Sequence, residues 1–242
     1  MDANIGAKER VTQNRLIGLF KNVLKYTYLG NWETREDNAN IEEKLLTAYL
    51  LRRGYTDKEI RSAIVKLKQS ANSLGGGLYN ANKDVYTFLR YGVNIQAEVT
   101  EKKKMVHLID WANPMENDFQ IAEEVTIQGA SDRRPDLVVY VNGIALAVIE
   151  LKRSTVSAHE GIRQNIRNQQ DGYIPRFFTT IQLLFAGNDT EGLHYGVIKT
   201  PEKFWLRWNR VASHASHRIS QQRSIPMSWI VVCCSSLSLQ GY

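Results

Sequence analysis

The 242-residue chain is predicted to fold as an α/β domain with a central mixed sheet flanked by helices. The spacing of apolar residues predicts this class. Up to about residue 91 apolar residues recur at helical spacing, whereas Val93–Thr100 alternates apolar and polar residues like a half-buried strand. Helical spacing returns over Ser157–Gly172, between short strand-like runs. We therefore expect a helical N-terminal part over about 8–91 and a sheet core over about 93–200.

The N-terminal part is predicted to contain four helices. Gly30 and Gly54 follow two of the apolar stripes and are expected to end those helices. Thr56 and Glu59 have the spacing of a capping box, which opens the third helix. The expected ranges are 8–29, 38–53, about 57–71 and 83–91.

The remaining elements are predicted from alternation and turn residues. The expected strands are 93–100 and 105–110, which form a hairpin, then 118–128, the two arms of 134–152, 180–186 and 194–198. Pro201–Arg210 is expected to form a short aromatic helix. The Ser-rich segment 211–242 continues none of these patterns, and it is interpreted as a linker or a truncation remnant.

The stretch Arg134–Lys152 organises the chain. It contains two apolar strands joined at Asn142-Gly143, with Asp136 opening the first strand and Glu150 and Lys152 closing the second. Charged residues are depleted in strands, so three of them around a buried hairpin indicate a site.

The residue types of this site predict metal-dependent phosphodiester hydrolysis. Mg²⁺ takes oxygen ligands, commonly one or two carboxylates together with water and substrate phosphate. Asp136 and Glu150 supply two carboxylates, and the backbone carbonyl of Leu151 supplies a third ligand. Lys152 lies on the same side of its strand as Glu150 and serves the attacking water or the charge on the phosphate.

The hairpin register makes a geometric demand on this site. A plain two-residue turn at Asn142-Gly143 would pair Asp136 with Ile149, and Glu150 would point to the other face. We therefore expect a three-residue loop, with Gly143 in the left-handed conformation, which adds one residue to the hairpin.

The charge distribution favours a polyanionic partner. The formal net charge is +6, with 20 Lys+Arg and 20 Asp+Glu in residues 1–150, and 11 and 5 in residues 151–242. Arg153, Arg163, Arg167 and Arg176 lie close after Lys152, which suits DNA. The alternative is a helix with a solvated basic face.

The sequence predicts a cytoplasmic protein without a membrane segment. It lacks the N-terminal pattern of a signal peptide, and no apolar run approaches the ~18 residues of a membrane span. Its two cysteines, Cys233 and Cys234, are adjacent and give no sign of an ordinary disulfide framework.

These motifs resemble a known nuclease family. The residues Arg134-Pro135-Asp136 and Glu150-Leu151-Lys152 resemble the PD-(D/E)xK signature. Together with Asn117-Asp-Phe, Glu123-Glu-Val and Gln169-Gln-Asp-Gly-Tyr173, they are similar to the N-terminal nuclease domain of the R (restriction and motor) subunit of type I restriction enzymes. The resemblance runs from about Glu9 to Arg210.

The resemblance implies a restriction-endonuclease-like core that cuts double-stranded DNA with Mg²⁺, over residues 1–210. By resemblance, Gln169 and Tyr173 contact DNA or brace the site. Their spacing also predicts that they share one helix face, and Tyr173 capping the helix is the structural alternative. A carboxylate on the first helix completes such sites, and Glu9 is the candidate, with Glu123 as a weaker one. An acid that favours the helix dipole is the other interpretation of Glu9.

The resemblance also implies partners. In the full-length enzyme an ATP-driven translocase follows, assembled with modification and specificity subunits. This sequence has no Gly-x-x-x-x-Gly-Lys-Ser/Thr, so ATP is expected only in the full-length enzyme. Two alternatives remain: a stand-alone repair or defence nuclease of the same fold, and a non-catalytic DNA-docking module whose carboxylates cap strands.

Overall fold

The computed structural model describes residues 3–96 and 103–208, with side chains from residue 10 onwards. Within this part of the chain there are five α-helices, α1 Ala3–Gly18, α2 Glu43–Arg52, α3 Asp57–Asn72, α4 Leu78–Tyr91 and α5 Ala158–Asn168. The strands are β1 Thr27–Asn31, β2 Val93–Ile95, β3 Lys104–Val106, β4 Phe119–Glu123, β5 Leu137–Val141, β6 Ile144–Leu151, β7 Leu183–Asn188, β8 Gly192–Gly196 and β9 Leu206–Arg207. The mixed α/β class expected from the sequence is confirmed.

Seven of these strands form one mixed sheet in the order β1-β4-β5-β6-β7-β8-β9. The pairs β1–β4 and β6–β7 are parallel, and the other neighbours are antiparallel. Helix α5 connects β6 to β7, the crossover that two parallel neighbours require. The hairpin β5–β6 therefore lies at the centre of the sheet.

Each face of the sheet is covered by its own hydrophobic cluster. Successive residues of β5 divide between the clusters, with Val139 in one and Val138 in the other, because side chains alternate along a strand. The first cluster includes apolar residues of α1, α2, α3 and α4, and the second includes Ile162 of α5. All residues of β5 and β6 are buried, which explains their nearly continuous apolar sequence.

The first helix does not have the predicted boundaries. α1 is followed by a π-helical turn, Leu19–Val23, and Thr27–Asn31 then forms β1 instead of continuing the helix to Leu29. The expected range was wrong because a short apolar run has no unique period. The backbone of this segment pairs with β4, which satisfies its polar groups without a helix.

The second helix begins at Glu43 and not at the expected Asn38. The amide of Asn38 donates to the carbonyls of Trp32, Arg35 and Thr126, and these bonds hold residue 38 in a loop. The predicted capping box of α3 is confirmed, since Thr56 and Glu59 bond to each other's backbone N–H.

Later elements are also shorter or different from their predicted ranges. The hairpin β2–β3 is confirmed as antiparallel, although part of its predicted range, 97–102, lies outside the described residues. The expected aromatic helix is wrong between 201 and 208. A 3₁₀ turn at Glu202–Phe204 and strand β9 occupy this segment, because Trp205 is drawn into the core against Gly196. Segment 211–242 lies outside the described residues. None of the helices that the structure describes has the length and apolar composition of a membrane span.

The turn of the central hairpin is fixed against α2. Asn142 and Gly143 have φ angles of +53° and +81°, the pattern of a two-residue type I′ turn. A Cβ on Gly143 would lie 2.7 Å from the Leu45 Cβ and 2.8 Å from the Leu46 nitrogen. Glycine is thus required here both by its backbone conformation and by the close approach of α2.

Gly143→Ala is expected to lower the free energy of unfolding by about 2–4 kcal/mol, because the left-handed conformation and the overpacking against α2 both cost stability. Gly54→Ala is the matched control. Gly54 has a similar φ of +83° but no atom within 4 Å of an added Cβ, so it should lose only about 1 kcal/mol. Urea denaturation of both variants measures the difference, and equal losses would contradict the importance of the α2 contact.

Candidate active site

The charged ends of the hairpin meet because β6 contains one extra residue. Near the turn Tyr140 pairs with Ala145, but beyond it Val139 pairs with Ala147, so Leu146 forms a β-bulge. Leu137 then pairs with Ile149, and the same register places Asp136 opposite Glu150. The prediction that the hairpin contains one extra residue is confirmed. Its predicted position was wrong, because the turn has two residues and the bulge lies in β6.

The three charged residues lie around the backbone of Leu151. Asp136 Oδ2 accepts the N–H of Leu151 at 2.6 Å, and Lys152 Nζ donates to the Leu151 carbonyl at 3.0 Å. The N–H of Lys152 donates to the Gly187 carbonyl of β7 at 2.9 Å, which continues the parallel pairing one residue beyond β6. The structure therefore brings the ends of β5, β6 and β7 together at the predicted site.

Glu150 is fully buried and is oriented from α5. Gln164 Nε2 donates to Glu150 Oε2 at 2.8 Å. One turn earlier, Gly161 allows α5 to approach the sheet, since a Cβ there would lie only 3.1 Å from the Ala186 Cβ of β7. Gln164 was not predicted from the sequence. The signal available was the polar, small face of α5, where Gly161, Gln164, Asn165 and Asn168 recur at helical spacing.

The donor set fits an open magnesium site. Mg²⁺ usually binds few protein ligands and keeps several waters, and two carboxylates and a carbonyl match that habit. Among the residues that the structure describes, no three His, Cys, Asp or Glu side chains converge on one point. The described groups that could hold such an ion are thus Asp136, Glu150 and the carbonyl of Leu151, with water and phosphate in the remaining positions.

The two candidates for a further acid are placed differently. Glu123 pairs with Leu137 in the sheet, so it points to the face opposite Asp136. It accepts hydrogen bonds from Gln13 at 3.1 Å and from the Tyr28 hydroxyl at 2.6 Å. Burial, followed by this carboxylate, raises the pKa of Tyr28 to about 12. The backbone of Glu9 belongs to α1, while its side chain lies outside the described part.

Gln169 and Tyr173 do not share a helix face, because α5 ends at Asn168. Gln169 is buried, and its Oε1 accepts the Lys199 N–H at 2.7 Å. Tyr173 lies in the following turn, where the Arg133 guanidinium is 4.1 Å from its ring centroid. Gln169 thus ties the end of α5 to the segment after β8, and Tyr173 packs on the loop that leads into Asp136.

The basic residues after Lys152 are only partly available to a polyanion. Arg163 forms ion pairs, one of them with Glu202 at 2.8 Å. Arg167 and Arg176 are exposed and Arg153 is half-buried. Arg176 lies towards the turn end of the hairpin, because its carbonyl accepts the Asn40 amide and the Asn40 carbonyl accepts the Ala145 N–H. These arginines therefore offer less positive charge near the site than the sequence count indicates.

Comparisons with known proteins identify the relatives of this chain. A family model described as the type I restriction enzyme R protein N terminus matches residues 6–203. A putative type I restriction enzyme MjaIXP endonuclease subunit of Methanocaldococcus jannaschii is 29% identical over 139 residues, 54% of this chain and 13% of the relative. A putative type I restriction enzyme MjaVIIP endonuclease subunit of the same organism is 33% identical over 102 residues, 41% of this chain and 9% of the relative.

A bacterial relative gives the same result. The type I restriction enzyme SsaAORF53P endonuclease subunit of Staphylococcus saprophyticus is 26% identical over 133 residues, 55% of this chain and 13% of the relative. The matches thus span a small fraction of the relatives' length. Because the family model covers most of the chain, the protein belongs to the family of type I restriction enzyme R protein N-terminal regions.

Proposed function

We propose that this chain is the magnesium-dependent endonuclease part of a type I restriction enzyme R subunit, hydrolysing phosphodiester bonds of double-stranded DNA. One observation carries the proposal: the bulge at Leu146 places Asp136 opposite Glu150, with Lys152 and the Leu151 carbonyl beside them. The names of the relatives, which are endonuclease subunits, support the same reaction class.

The ligands of the proposed metal are Asp136, Glu150 and the Leu151 carbonyl. When bound there, Mg²⁺ would polarise the phosphate and favour deprotonation of a water. The chain orients each ligand beforehand: the Leu151 N–H holds Asp136, and Gln164 holds Glu150. Such hydrogen bonds fix carboxylate direction and reduce the cost of assembling the site.

Lys152 supplies the positive charge of the site. Its ammonium donates to the Leu151 carbonyl, so it is held within reach of groups bound next to that oxygen. From there it would hold the attacking water or stabilise the charge that develops on the phosphate. Glu9, on α1, is proposed as a further acid, and Gln169 and Tyr173 as residues that support the site from the segment that follows α5.

The proposed setting is a cytoplasmic complex with modification and specificity subunits on double-stranded DNA. ATP would be required only by the full-length enzyme, because this sequence contains no phosphate-binding Gly-rich motif. Cleavage by this chain alone, without ATP or other subunits, would instead favour a stand-alone nuclease.

Asp136→Ala and Lys152→Ala are each expected to reduce the single-turnover cleavage rate of the assembled enzyme by at least about 10²–10³-fold. The first removes a metal ligand and the second removes the charge beside the phosphate. DNA binding and the thermal unfolding midpoint should change little. The matched controls are Asp84→Ala and Lys83→Ala, an exposed acid and lysine on α4.

The two outcomes are distinct. Loss of cleavage in the site variants, with controls that cut like the parent, supports the proposed roles. Cleavage at the parental rate by Asp136→Ala would show that the hairpin carboxylates do not form the active site, and it would favour the DNA-docking interpretation.

Gln164→Ala is expected to raise the Mg²⁺ concentration for half-maximal cleavage by about 10–100-fold, because Glu150 would lose the bond that orients it. Gln170→Ala, which changes an exposed glutamine just after α5, is the control. A magnesium titration of the cleavage rate measures both variants. An unchanged magnesium requirement in Gln164→Ala would mean that Gln164 does not orient a metal ligand.

A further inference from the structure

Helix α1 crosses the end of the sheet at which the site lies. One contact of α1 is with the end of β4, and another is with the loop between β7 and β8. The sheet order places β5 and β6, which carry Asp136 and Glu150, between these two points. The helix thus connects the two sides of the site, and its contacts on each side are polar.

The first anchor joins α1 to the end of β4. Gln13 is buried, and its Nε2 donates to Glu123 Oε2 at 3.1 Å and to Glu124 Oε1 at 3.0 Å. Arg10 forms an ion pair with Glu123 at 3.2 Å. Because Gln13 has little contact with water, loss of its acceptors would leave a buried donor unsatisfied.

Glu124 connects this anchor to Asp136. Its N–H donates to the Asp136 carbonyl at 2.9 Å, and its carboxylate pairs with Arg134 Nε at 3.0 Å, two residues before Asp136. Glu124 has a φ of +50°, a conformation that residues other than glycine rarely adopt. The surrounding contacts must therefore hold this residue in place.

The second anchor joins α1 to the end of β7. Thr12 Oγ1 donates to Asp189 Oδ2 at 2.7 Å, and Arg15 forms an ion pair with the other oxygen of the same carboxylate. Asp189 lies two residues after Gly187, whose carbonyl accepts the N–H of Lys152. This anchor is thus connected to the backbone of Lys152 by a short segment of chain.

We propose that α1 is a clasp that sets the position of Asp136 relative to Lys152, with Glu124 and Asp189 as its positioning residues. Glu124 acts through the bond from its N–H to the Asp136 carbonyl, and Asp189 acts through the Gly187 carbonyl two residues before it. The consequence for cleavage rests on the proposed function, whereas the coupling between the two anchors does not. Active-site geometry must hold within about 0.5 Å, so a small movement of α1 is sufficient to matter.

The test compares Glu124→Ala, Asp189→Ala and the double variant of the full chain. The readout is amide hydrogen exchange at Leu151, whose N–H donates to Asp136, and at Lys152, whose N–H donates to Gly187. Asp118→Ala is the matched control. Its ion pair with Arg52 lies at the opposite end of the sheet, and its carboxylate has the same 34% exposure as that of Asp189.

The clasp predicts effects across the site. Each single variant should raise exchange at both amides by about tenfold, because each weakens one anchor and the helix moves as one body. The double variant should then add little, and the control should change neither amide. In the assembled enzyme the single-turnover cleavage rate should fall by about 10–100-fold, with DNA binding unchanged within about twofold.

Two results would overturn the clasp. Exchange that rises only at the amide next to each substitution, with effects that multiply in the double variant, would show two independent local contacts. Unchanged exchange at both amides would show that neither anchor matters. If Glu124→Ala does not fold, Gln13→Ala weakens the same anchor from the helix side. Cleavage by Asp136→Ala would refute the proposed function and leave these exchange results to decide the clasp.

Discussion

The alternation of side chains along β5 and β6 constrains everything else at this site. Both strands are buried on both faces, so a shift of one residue would exchange the residues that the two hydrophobic clusters contain. A two-residue turn alone would place Asp136 and Glu150 on opposite faces, and the bulge at Leu146 corrects the register. It keeps a tight turn at Asn142-Gly143 and still brings Asp136 and Glu150 to one face.

The turn end of the hairpin is held rigidly, which makes the bulge the place where the register changes. Asn142 is fully buried, and its side chain bonds to the Leu108 carbonyl, the Asn117 side chain and the Asp118 N–H. A third turn residue would displace these bonds and the contact of Gly143 with α2. The extra residue therefore enters within β6, where the Leu146 carbonyl accepts the N–H of Gln182.

The site end is held by elements from both faces. Helix α5 orients Glu150 through Gln164, and α1 approaches from the side of the first cluster through its bonds to Glu123 and Glu124. The carboxylates at the strand ends thus have fixed directions before any ligand binds. Such preorganisation is what a metal-dependent hydrolase requires of its protein part.

The sequence was sufficient to predict the mixed α/β class, the central hairpin, the capping box of α3 and the family. Motif residues and local turn chemistry carry these features, and both are properties of short segments. The need for one extra residue also followed from the alternation of side chains along the two strands. Its position, however, depends on the packing of the turn against α2 and on the hydrogen bonds of the Asn142 side chain. Those contacts come from distant parts of the chain.

The features that sequence did not reveal are likewise set by tertiary pairing. β1 forms because β4 offers an unpaired edge to a segment whose apolar spacing also suits a helix. The spacing of Gln169 and Tyr173 predicted one shared helix face, but α5 ends at Asn168, before both residues. Gln164 belongs to no motif, and its role is visible only in the packing of α5 on β6 and β7, where it donates to Glu150.

Anomalous diffraction from crystals of this chain soaked in Mn²⁺ tests most directly whether the bulged hairpin forms a metal site on one face of the sheet. The expected result is one ion about 2.1–2.4 Å from carboxylate oxygens of both Asp136 and Glu150 and from the Leu151 carbonyl. Mn²⁺ density found only away from this hairpin would contradict the proposed site. So would the absence of density at millimolar Mn²⁺ together with Asp136 and Glu150 pointing to opposite faces.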